Sequence, residues 1–170
     1  MGGLPLMEEK LAASRGVVKL LDREFQHLIA QLNALVTSTG SDLLHQRPQG
    51  LSVPTIGECI LKSAAIAEQV FGGLTTNLWD DPFEWTLPEA LSDRPRILEY
   101  LGEVDQARQR AFACFADDAS LLKKVSVPSG EALPLAQVLL DALRRANIVY
   151  GQAQATHKIF SAHTVSGFII

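Results

Sequence analysis

The feature that most constrains this chain is a helical period of apolar residues, repeated in four long segments and interrupted by breaker-rich stretches. In the first segment Val17, Leu21, Phe25, Leu28, Leu32, Leu35 and Val36 recur at three- and four-residue steps, one face of an amphipathic helix. The pattern predicts a helix from near Met7 to just before Gly40. A turn rich in Ser, Thr, Gly and Pro follows from Thr37 to Pro54, with room for one helical turn at Asp42 to Gln46. Thr55 then reads as the N-cap of a second helix, with Glu58 completing a capping box and Ile56, Ile60, Ala64, Ala67, Phe71 and Leu74 as its core stripe.

Between Thr75 and Pro95 lie Trp79, Pro82, Trp85 and Pro88, which read as a long ordered crossover whose aromatics must pack somewhere. Ser92 or Asp93 caps a third helix, with Pro95 in its first turn and Leu98, Leu101, Val104, Phe112 and Phe115 as its stripe. Asp117, Asp118 and the segment from Val125 to Pro134 form a second connection with a short extended excursion. The fourth helix is expected from Leu135 to about Ile159, with Leu135, Leu139, Ala142, Leu143, Ala146 and Tyr150 inward. Helices of roughly 20–30 residues would be ~30–45 Å long, the proportions of a bundle. Nothing demands a sheet, so the expected class is all-α, one domain over residues 1–170.

An apolar fraction of 47% and a charged fraction of 20% are ordinary globular values and speak against disorder. No apolar run approaches the about 18 residues that span a bilayer, and no membrane partner is expected. The start of the chain has no basic stretch leading into a long apolar one, so a cytoplasmic location is expected. The net charge is −4, and no basic stripe is available to neutralise phosphates, which argues against nucleic acid as a partner. Cys59 and Cys114 form no disulfide framework or metal knuckle and read as free, largely buried thiols. His27, His45, His157 and His163 do not form a recognisable ligand set, and no phosphate loop or nucleophile elbow is present.

Two short stretches carry a more specific signal. Thr55-Ile56-Gly57-Glu58 opens the second helix, Gly151-Gln152 lies in the fourth, and Arg47-Pro48 precedes the second. Together these resemble the signatures of the DinB-like (damage-inducible, YfiT-like) proteins over about residues 8 to 160. The resemblance implies an up-down-down-up four-helix bundle with a long crossover between the second and third helices. It implies a frequent homodimer, which the apolar tail ending in Phe168-Ile169-Ile170 could serve, although that tail could equally pack on its own bundle. It also implies three histidines holding a divalent metal, but here those positions fall on Lys62, Arg145 and Val149. Lysine ligates only as the neutral amine, arginine stays protonated and valine has no donor, so no metal and no other cofactor is expected. Relatives of this kind include thiol-dependent transferases and isomerases, with metal-dependent hydrolysis proposed for others, and those activities usually rest on the metal.

What stands in place of the triad reads in two ways. Glu58 lies four residues before Lys62 and Asp141 four before Arg145, the favourable order for helical ion pairs. At 100° per residue Lys62 falls roughly 160° from its core centre, and Val149 and Arg145 roughly 80° and 120° from theirs. Solvated ion pairs at the rim are the plain reading. The functional reading is a cationic cleft between the second and fourth helices, where Lys62 and Arg145 hold a small carboxylate or phosphate ligand. Arg108, near the middle of the third helix's apolar stripe and three residues after Asp105, joins that candidate set if it lines the same cleft. The expected function is a non-metallated binding or accessory protein, against an enzyme of the transferase, isomerase or hydrolase kind.

Overall fold

Why these residues form these elements is clearest at the helix ends. The computed structural model describes residues 15–80 and 93–166. Along them run α1 (Gly16–Ser38), α2 (Ser41–Leu44), α3 (Ile56–Thr76), α4 (Arg94–Ala113), a 3-10 turn (Asp118–Leu122), β1 (Lys124–Ser126), β2 (Ala132–Pro134) and α5 (Leu135–Ser166). Thr55 accepts from the Glu58 N–H while Glu58 accepts from the Thr55 N–H, the reciprocal cap expected for α3. Asp93 caps α4 by accepting from the Arg96 N–H at 2.9 Å, and Pro95 sits in the first turn. Arg15 offers no cap to α1, so Asp118 reaches across from the 3-10 turn to accept from the Val18 N–H at 2.9 Å.

The molecule is predominantly helical, and among the described residues five α-helices pack together with one small hairpin. That hairpin corrects the expectation of a chain without any sheet. Its strands pair antiparallel, Val125 opposite Leu133, across a turn closed by the Gly130 N–H on the Val127 carbonyl. Gly130 takes φ +83°, open to glycine at no steric cost. Among the described residues no helix is long and apolar enough to cross a membrane.

The core is continuous through α1, α3, α4 and α5, and one phenylalanine from each of three helices ties it together. Phe25 of α1 meets Phe71 of α3 edge-on at 5.0 Å, and both contact Phe112 of α4 at 6.0 and 6.2 Å. Arg94, at the start of α4, donates to the Thr39 carbonyl just past the end of α1, while Arg108 near the end of α4 meets Asp22 near the start of α1. Those two helices therefore run in opposite senses. So do α3 and α5, since Glu58 lies by Gln152, Ser63 by Ala146 and Val70 by Val138. Small side chains line their seam: Ser63, Ala64, Ala67, Ala142, Ala146 and Ala153 are fully buried, which lets the two backbones approach closely.

Several expectations need correction. Val17 is 50% exposed and Val18 takes its place, because Val18, seven residues before Phe25, lies nearer the centre of the stripe. Helix α5 runs past Ile159 to Ser166, since no proline or glycine stands between Ile159 and Ser166. His157 and His163 accordingly both lie within it. Cys114 caps the end of α4 and is exposed, whereas Cys59 is buried as expected. The start of the first helix near Met7, the alternative cap Ser92, the crossover residues Pro82, Trp85 and Pro88, and the apolar tail lie outside the described residues.

Candidate functional site

The seam between α3 and α5 is sealed at its middle, where the Ser63 hydroxyl donates to the Ala146 carbonyl at 2.9 Å. Residues 58, 62 and 69 share one face of α3, and 141, 145, 149 and 152 share one face of α5, so the two helices flank a common outer side of that seam. Two recesses open along it. The larger, about 530 Å³, is walled by Val70, Val138, Leu133, Pro128 and Trp79 and edged by Gln69, Gln137, Asp141 and Arg145. The smaller, about 240 Å³, is lined by Pro54, Glu58, Cys59, Lys62, Val149 and Gln152.

The hairpin builds the outer wall of the larger recess. Its turn brings Val127, Pro128 and Ser129 over the side of the seam, and Leu133 of β2 fills in beneath. Trp79 supplies the third wall and is held from two directions. Gln69 donates its side-chain amide to the Trp79 carbonyl at 2.9 Å, and the indole lies flat against Gly73, where a Cβ would come within 2.3 Å of the ring. Any side chain at Gly73 would displace it. The indole N–H is enclosed and meets no acceptor among the described residues.

At the edge of this recess the charges are arranged around Asp141. Its Oδ2 lies 3.2 Å from Arg145 Nε, the expected four-residue pair, and its Oδ1 accepts from Arg144 at 2.6 Å. The Arg144 hydrogen bond, with the charges of both arginines, holds the Asp141 carboxyl below the usual carboxylate range against the opposing effect of burial. Arg144 lies outside this recess, in a shallow hollow with Pro134 and Leu140, so the edge itself carries one ion pair, Asp141 with Arg145. The terminal nitrogens of Arg145 have no hydrogen bond among the described residues.

Around the smaller recess the expected pairing does not form. Glu58 turns from Lys62 toward Arg47, whose Nη2 it meets at 2.7 Å, and its second oxygen is taken by the Thr55 N–H. Lys62 is exposed and has no ion-pair partner among the described residues. Val149 lies half-buried in the opposite wall. Gly57 explains the local geometry: a Cβ there would come within 2.9 Å of the Leu44 carbonyl, so only glycine lets α2 and the Arg47 turn close over the start of α3.

Arg108 does not join either recess. It is 5% exposed between α4 and α1, with Nε donating to Asp105 at 2.8 Å and Nη1 to Asp22. Burial works against its charge, but the Asp105 hydrogen bond and the field of the two carboxylates outweigh it and keep the guanidinium protonated. Its head is held by carboxylates and is almost wholly enclosed. The structure thus gathers Asp141 with Arg145, and Glu58, Lys62 and Val149, in neighbouring recesses, and sets Arg108 apart.

A divalent metal does not fit the positions the family resemblance would assign to it. Lys62, Arg145 and Val149 offer an ammonium, a guanidinium and an isopropyl group, and the two cations line different recesses. Among the described residues no group of three His, Cys, Asp or Glu side chains is placed to hold a metal ion. Sequence reasoning missed Gln69, Trp79, Gln137 and the hairpin residues as walls of a site. The Val-Pro-Ser-Gly turn was visible, but its place over the seam depends on contacts distant in sequence. Compared with protein-family models and with curated proteins, the chain matches none.

Proposed function

We propose that this protein binds a small amphipathic anion in the larger recess, on a DinB-like bundle that works without a metal. The observation that carries the reading is the recess itself. A volume of about 530 Å³ falls within the range of small-molecule sites, and its apolar walls end at the Asp141–Arg145 pair, where only Nε of Arg145 is engaged. An apolar body would lie against Val70, Val138, Leu133 and Trp79, while its carboxylate would meet the unengaged nitrogens of Arg145. Asp141 stays ionised and fixes the Arg145 side chain through Nε, so little conformational freedom is lost on binding.

The up-down-down-up arrangement belongs to the same proposal. It is supported by the opposed runs of α1 and α4 and of α3 and α5. The Thr55 cap, the close approach at Gly57 and the Arg47 contact to Glu58 give structural roles to four of the residues that carry the resemblance.

Calorimetric titration with octanoate and with octan-1-ol tests the reading, because the two probes share a tail and differ in charge. Octanoate is expected to bind saturably and octan-1-ol much more weakly. Arg145→Gln should weaken octanoate by about tenfold or more, the worth of one charge-assisted hydrogen bond. Equal binding of the two probes, or undiminished octanoate binding by Arg145→Gln, would sink the proposal.

A further inference from the structure

The smaller recess raises a separate question: why a lysine flanked by a well-spaced glutamate is left without an ion-pair partner among the described residues. The two oxygens of Glu58 are committed elsewhere, Oε1 to Arg47 and Oε2 to the Thr55 N–H, each at 2.7 Å. Neutralised by Arg47 and fixed by the cap, Glu58 cannot turn to Lys62 without opening the first turn of α3. Lys62 therefore presents a free ammonium at the rim of a recess whose floor and walls are the Cys59 thiol, Pro54 and Val149. Burial first, and then the neighbouring Glu58 charge, push the Cys59 thiol up, so the floor stays neutral and does not repel an anion. From the facing helix Gln152 brings a side-chain amide with no hydrogen-bond partner among the described residues. The recess, about 240 Å³ in extent, thus combines a cation, a neutral amide donor, an apolar floor and a carboxylate, Glu58, already engaged by Arg47 and the Thr55 N–H.

We infer that this recess is a second, independent anion subsite, one that takes a compact carboxylate with a short apolar tail. The carboxylate lies between Lys62 and Gln152, and the tail of a few carbons lies on Cys59, Pro54 and Val149. A volume of about 240 Å³ is too small for a drug-sized ligand and suits a short-chain acid. The apolar floor separates this ligand from inorganic phosphate, which would leave that floor wet. The subsite does not depend on what occupies the larger recess, since Arg145 does not line it.

Amide chemical shifts of the full-length ¹⁵N-labelled protein, titrated with butyrate, butan-1-ol and inorganic phosphate, test the assignment. Butyrate is expected to give saturable shifts centred on Cys59, Lys62, Val149 and Gln152, and butan-1-ol none. Lys62→Gln, a change at an exposed position that spares the fold, should weaken butyrate by about tenfold or more, while Arg145→Gln leaves it unchanged. The inference is overturned if butyrate gives no saturable shift at these residues, or if Lys62→Gln binds it as well as the wild type does. A phosphate response equal to that of butyrate overturns the carboxylate-and-tail assignment. Loss of octanoate binding in Arg145→Gln with butyrate binding retained would separate the two sites.

Discussion

Removing the two sides of the Arg108 cluster should have very unequal effects. The Arg108 side chain is 6% exposed, whereas those of Asp22 and Asp105 are 37% and 31% exposed. Arg108→Met leaves two carboxylates that already reach water and can hydrate, and methionine fills most of the vacated volume. That variant is expected to lie within about 1.5 kcal/mol of wild type, as replacements of buried ion pairs by well-packed apolar residues commonly do. Asp22→Asn combined with Asp105→Asn leaves a guanidinium enclosed with no counter-charge and should cost about 3–5 kcal/mol. Urea denaturation followed by circular dichroism measures both. The acid limb of the stability profile adds a second readout. Burial opposes the Asp105 carboxylate, but hydrogen bonds from Arg108 and Gln109, together with the Arg108 charge, hold its carboxyl below the usual range. A depressed folded-state pKa contributes stability that is complete above the unfolded value of about 3.9 and is lost as pH falls through the folded value. Wild type should lose that increment in acid, and Arg108→Met should lose less of it. If Arg108→Met is as damaging as the double asparagine variant, the argument from unequal exposure is wrong.

Two further outcomes follow from single contacts. Gly73→Ala puts a Cβ within 2.3 Å of the Trp79 ring and should cost about 1–3 kcal/mol; in a Trp85→Phe background the Trp79 emission should shift to the red, and an unshifted spectrum would mean the indole is not held there. Burial pushes the Glu68 carboxyl up against the opposing hydrogen bond from Tyr100 at 2.6 Å, so its contribution falls as pH rises from the unfolded value of about 4.3 through the raised folded one. Glu68→Gln, which keeps an acceptor for Tyr100, should therefore match or exceed wild-type stability at neutral pH and lose that advantage in acid; a deficit at neutral pH would refute the sign.

Much of the fold could be read from local pattern because local physics decides it. The period in α1, α3, α4 and α5 follows from which faces are buried, and the caps at Thr55 and Asp93 need only residues within one turn. Features settled by distant partners were not legible. Asp118 caps α1 from 100 residues away, and Arg108 finds Asp22 on another helix. Neither leaves a trace in the spacing of nearby residues. The end of α5 at Ser166 was misjudged for a different reason: no breaker marks Ile159, and weak apolar content toward the end of a helix is not a stop signal.

The site shows the same division more sharply. Asp141 and Arg145 pair as their spacing predicts, while Glu58 and Lys62, at the same spacing and in the same order, do not. Intrahelical pairs are worth only about 0.2–0.5 kcal/mol, less than a capping interaction or a charge-assisted hydrogen bond. Glu58 stands at the third residue of its helix, where the orphan Thr55 N–H and the Arg47 guanidinium both compete for it, and either competitor alone outweighs Lys62. Asp141 sits in the second turn of α5, past the orphan amides of the first, so the local pair survives. An acid-before-base spacing therefore reports a pair only when the acid lies outside the first turn. Inside that turn it can mark the reverse, a base left free to meet something else.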